Sequence, residues 1–170
     1  MGATPDSFEG FDDAVFDFIG CGGQDLYGSE TNPPDGFDAA LEEVHHLIVS
    51  TGWSKVFPEQ LAQTNGSAIA KAMDTARGGH FEPIPDPYPT DAWYSYDDET
   101  CDYDCMITEY TYWAHTSLLG AQVGRSAEIG HEWALETPEK VRSSDLAATA
   151  IFDDPSLGLP TVLPDGNCAG

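Results

Sequence analysis

Cationic side chains are scarce in this sequence: six Lys and Arg stand against thirty Asp and Glu in 170 residues, a formal net charge of −24. A surface of that sign repels phosphate backbones and anionic lipid, so neither nucleic acid nor a membrane surface is an expected partner. The scarcity also matters indoors, because a carboxylate that folding buries has few guanidinium or ammonium groups to pair with. No run of about 18 apolar residues occurs, so no transmembrane helix is expected. C-x-x-C pairs and zinc-ribbon spacings are missing, GGQDLYGSE has no Walker lysine, and there is no Gly-x-Ser-x-Gly elbow. Those absences remove zinc-ribbon, phosphate-loop and serine-hydrolase readings. The start, MGATPD, lacks the basic and apolar regions of a leader peptide, so a secreted form is expected to have shed its leader.

What is present suits one globular domain over residues 1–170, with 41% hydrophobic and 11% aromatic residues to fill a core. The acidity fits solubility in a salty medium, where ions screen self-repulsion, or cation binding by carboxylates; the two are compatible. Cys21, Cys101, Cys105 and Cys168 read as a disulfide framework, which points to an oxidising, extracellular compartment. The pairing Cys101–Cys105 across CDYDC and Cys21–Cys168 is favoured among the three that four cysteines allow.

The expected fold is mainly α, with α+β as the alternative. Residues 1–36 form an irregular or short-stranded lead-in that ends in the turn Pro33-Pro34-Asp35-Gly36, residues 37–150 a helical core, and residues 151–170 a looped tail. Periodicity and caps predict helices over 38–50 with Asp38 as N-cap and Gly52 past the end, and over 58–76. Further helices are predicted over 106–122, 126–135 and 138–150, and the four prolines from Pro83 to Pro89 make a stiff extended connection.

In DAALEEVHHLI the residues Ala40, Leu41, Val44, Leu47 and Ile48 share one helical face, while Glu42, Glu43 and His46 share the other. Glu42 and His46 stand four apart, the spacing at which two side chains on one helix reach one ion. A solvated polar face is the ordinary reading of that pattern. The helix CMITEYTYWAHTSLLGAQ argues against it, since nearly every face is apolar yet Glu109 sits in its middle. Without spare cations, a metal shared with Glu42 and His46 would satisfy that carboxylate.

On these residues LEEVHHLI resembles the active-site helix of zincin metallopeptidases, whose signature is His-Glu-x-x-His, with Glu42 in place of the first histidine. TEYTYWA is similar to the later helix that carries the glutamate ligand in the gluzincin branch. The resemblance implies a zincin-like helical domain holding one divalent ion through Glu42, His46 and Glu109, with zinc first and calcium, manganese or iron as alternatives. It implies peptide-bond hydrolysis of a peptide or protein substrate, with Glu43 as general base. The oxyanion would be met by Tyr112, one turn beyond Glu109, or else by Tyr110. A non-catalytic acidic calcium-binding or extracellular matrix module is the rival. HEWAL ends in Leu135 where a second zincin helix needs histidine, DDETCDYD lacks the glycine and final glutamate of an EF-hand loop, and His45 reads as a packing residue. His80 and His115 would need tertiary folding to reach the centre.

Overall fold

The structure is a computed structural model and describes residues 39–164. Helix α1, Ala40–Ile48, runs without a break into a π-helical turn, Val49–Trp53, and then into α2, Ser54–Val56. Gly52 therefore lies inside this helical run and does not end it. The predicted helix 58–76 is two helices, α3 at Pro58–Leu61 and α4 at Ala68–Ala76. Thr64-Asn65-Gly66 breaks it: Gly66 has φ +98, a left-handed conformation that costs side-chain-bearing residues, and the Ser67 hydroxyl then caps α4 by accepting from Ala70 N at 3.1 Å.

Helix α5, Tyr103–Leu118, starts one turn earlier than periodicity suggests, because the Asp102 carboxylate accepts from Cys105 N at 2.9 Å and fixes the N-terminus there. Cys101 and Cys105 form a disulfide across this start, with Cα atoms 5.3 Å apart. Gly120, at φ +86, ends the helix before Gln122. Helix α6 covers only Ser126–Ile129 of the predicted 126–135. The predicted helix 138–150 splits at Asp145 into α7, Pro138–Ser144, and α8, Leu146–Phe152, with Asp145 capping α8 through Ala148 N.

Helix α5 is the axis of the molecule, and α1, α4, α7 and α8 pack against it. Twelve of its sixteen residues are buried, which is why its sequence shows no clean polar stripe. Its Met106 and Tyr110 share the core with Met73, Tyr94, Trp133, Val141, Ile151 and Phe152. The proline-rich connection runs over Arg77, a fully buried guanidinium that donates from Nη1 to Phe81 O at 3.0 Å and lies under the Phe81 and Tyr88 rings. An isolated antiparallel bridge pairs Tyr94 with Trp133 and stitches the end of that connection to the segment after α6. Among the described residues the chain is mainly helical, and no helix is long and apolar enough to cross a membrane. The lead-in strands, the turn at Pro33–Gly36, the Asp38 cap and the Cys21–Cys168 pair lie outside the described residues.

Candidate metal centre

Helix α1 turns its Glu42 and His46 side toward α5, as a shared ion requires, and leaves part of its apolar face exposed. Val44 and Ile48 are 51% and 43% exposed, whereas His45 and His46 are 7% and 5% exposed. The hydrophobic pattern misleads here because the buried imidazoles find partners on α5 that make their burial affordable. His45 Nε2 lies 3.1 Å from His115 Nδ1, and His115 Nε2 lies 3.0 Å from Pro160 O. The carbonyl can only accept, so His115 carries its proton on Nε2 and His45 donates to its Nδ1. Burial first, and then the neighbouring His115 and His46, hold the His45 ring well below the usual histidine range. His45 and His115 thus form a neutral packing pair between Trp53, Tyr112 and Phe152.

One residue further along, His46 faces α5 differently. Its Nε2 is buried, has no hydrogen-bond partner, and lies 3.4 Å from Glu109 Oε2, a spacing that attracts charge without being aligned as a hydrogen bond. Glu42 joins from the preceding turn, so Glu42, His46 and Glu109 each offer one ligand atom and these atoms all lie within 4.8 Å of one another. A single ion at about 2.0–2.5 Å from each donor fits such a set. The described residues contain no other cluster of this kind.

Electrostatics fit a site short of one cation. The Glu42 carboxyl is pushed up to about 7, first by burial and then by the Glu109 charge, with Glu43 and Glu132 adding to the effect and His46 opposing it. Burial works against a charged His46, but Glu109, Glu42 and Glu43 outweigh it and raise that ring above the ordinary histidine value. In the absence of metal, protons therefore serve as the counter-ions.

The Glu42 shift sets a measurable pH dependence. A folded-state pKa of about 7 against an ordinary 4.5 means that the folded chain binds the extra proton between those values. The contribution to stability is full at low pH and is lost as pH rises through 7. In metal-free protein, Glu42→Gln is therefore expected to gain about 2 kcal/mol on wild type between pH 5 and pH 8. Urea denaturation of both proteins across that range measures it, and the neutral pair His45 and His115 cancels in the difference. A pH-independent difference would mean that Glu42 is not held in this environment.

The other sequence candidates take different positions. Glu43 Oε2 lies 3.9 Å from His46 Nδ1, the ring nitrogen opposite to the one facing Glu109. The Tyr112 ring meets the edges of both His45 and His46, and its hydroxyl accepts from Gln122 Nε2 at 3.1 Å. Burial and then Glu42 raise that phenol above its usual value, which keeps it protonated. Tyr110 points elsewhere: its hydroxyl donates to Asp145 Oδ2 at 2.6 Å in the core, so no oxyanion role is open to it. Its position one residue after Glu109 turns it about 100° around α5. His80 is placed with Asp74 and Glu82, away from the centre.

Sequence reasoning passed over two residues beside the centre, Tyr96 and Glu132. Both line the cleft that Glu42 also lines, and the Tyr96 phenol is raised first by burial and then by the charges of Glu109 and Glu132. Neither sits in a ligand-spaced pattern, so only the Tyr94–Trp133 bridge reveals them. No family model, curated protein or solved structure matches the chain.

Proposed function

We propose that this chain binds one divalent transition-metal ion through Glu42, His46 and Glu109, and that the ion serves hydrolysis of a peptide substrate in a zincin-like centre. The observation that carries the reading is the buried, unpartnered Nε2 of His46 facing two carboxylates that burial and mutual repulsion make costly to leave uncompensated. An imidazole donor favours zinc, and then manganese or iron, over calcium, which prefers an all-oxygen set.

Three protein ligands leave coordination positions for water or a substrate carbonyl, and the cleft beside Glu42 supplies access. The ion would polarise that oxygen; the chain supplies the rest. Glu43, beside Nδ1, fits the carboxylate that orients a ligating imidazole from behind, a role at odds with the general-base role that the zincin pattern assigns it. Tyr112 packs on the His46 ring and holds it toward Glu109. With its disulfide, the chain fits a secreted, extracellular protein.

Metal-stripped protein without a histidine tag, titrated with zinc, manganese and calcium at matched ionic strength, tests the reading. One zinc per chain is expected, with melting raised by about 5–10 °C at a hundredfold excess over Kd. Calcium should add little. Tight calcium binding without transition-metal binding would overturn the reading in favour of an acidic calcium module.

A further inference from the structure

The cleft beside the centre holds a further carboxylate with little compensation. Its walls, around about 250 Å³, include Glu42, Tyr96, Trp113, Arg125, Glu128 and Glu132. Glu128 is gripped by Arg125, from Nε at 3.2 Å and Nη2 at 2.6 Å, so its charge is met. Among the described residues Glu132 is paired only with His131, a ring 64% exposed whose Nε2 lies 3.3 Å away. Yet the Glu132 side chain is itself only 22% exposed.

A stiff local frame holds it there. Ser95 N donates to Glu132 O at 2.8 Å and Ala134 N donates to Trp93 O at 3.0 Å, the two hydrogen bonds that flank the Tyr94–Trp133 bridge. Trp133 is fully buried and donates from Nε1 to Ser117 Oγ at 2.9 Å on α5, so the frame is anchored to the helix that carries Glu109. Burial, and then the Glu109 and Asp97 charges, raise the Glu132 carboxyl against the pull of His131, and Glu132 helps to raise Glu42 in turn. Glu132 is nevertheless outside the trio whose ligand atoms lie within 4.8 Å of one another. It lines the same cleft as Glu42, one layer out from the trio, a placement from which a carboxylate acts through water and not by direct ligation.

We propose that Glu132 is the outer carboxylate of the metal centre: from the cleft side it accepts a hydrogen bond from water on the ion and adds a third negative charge around the dication. This rests on the three-ligand centre proposed above. Glu132 is a positioning residue, and it makes the cleft face the face on which water is held.

The test compares wild type, Glu132→Gln and Glu99→Gln by zinc titration and by melting of the metal-free proteins. Glu99 lines a separate cleft and removes the same charge at a distance. Zinc Kd is expected to rise about 10- to 100-fold in Glu132→Gln, against less than about threefold in Glu99→Gln, where solvent screens the charge. Metal-free Glu132→Gln should melt at or above the wild-type temperature, because repulsion from Glu42 and Glu109 is relieved. A purely structural role would lower that melting temperature and leave affinity alone, which would overturn the proposal. Equal Kd changes in the two variants would overturn it too, while leaving the three-ligand centre standing. Wild type that binds no zinc would remove the centre and this inference together.

Discussion

Replacing His46 by alanine is expected to reduce zinc affinity by at least about 100-fold and to abolish the metal-dependent rise in melting temperature. His46 supplies the one nitrogen donor of the trio, and the two carboxylates left behind repel each other across a partly buried gap. The same change removes a ring packed edge-on against Tyr112, so metal-free protein should also lose about 1–3 kcal/mol from the cavity. His46→Gln separates the two effects: it refills most of the volume but offers a poor ligand, so stability should recover and affinity should not. Equilibrium dialysis with metal analysis, run beside thermal melts of the stripped proteins, gives both quantities. One tightly held zinc per chain in His46→Ala would place the metal elsewhere.

The trio was legible in the sequence for a local reason and a global one. Spacing on one helix puts Glu42 and His46 side by side whatever the rest of the chain does. The shortage of cations then leaves Glu109, in the middle of an apolar helix, with few Lys or Arg side chains in the sequence to pair with. The exposure of Val44 and Ile48 was not legible, because the same helix presents them on one side and His45 and His46 on the other, and periodicity alone cannot tell that α5 supplies partners for the imidazoles. His115 and Glu109 supply them, and pairings 70 and 63 residues apart leave no periodic trace. Helix breaks were lost for a different reason. Asp145 is a polar residue inside a predicted helix, and only its hydrogen bond to Ala148 N shows that it ends one helix and starts the next. Glu132 carries no spacing signal at all, since the bridge that positions it joins segments nearly forty residues apart.

Asp145→Ala is expected to destabilise the fold more than any change at the metal centre. The carboxylate is 2% exposed, and it accepts from Tyr110 OH at 2.6 Å, Trp93 Nε1 at 3.0 Å and Ala148 N at 3.0 Å. Alanine leaves three donors without an acceptor, two of them buried on α5 and α8 and the third the half-buried Trp93 indole, at about 1–3 kcal/mol for each buried one, and also removes the cap of α8. Relaxation and water entry recover part of that, so about 3–5 kcal/mol is expected, or roughly 10 °C in melting temperature for a chain of this size. Asp145→Asn keeps an acceptor for α8 or for one ring donor, and its loss should be about half as large. Tyr110→Phe removes one donor and leaves the carboxylate to the other two, for about 1–2 kcal/mol. Because Tyr110 faces Asp145 and not the trio, its zinc affinity should match wild type. Urea denaturation and zinc titration of the three variants check the set; a Tyr110→Phe protein that folds well but loses zinc would return Tyr110 to the site, and a stable Asp145→Ala would mean that these donors find other partners.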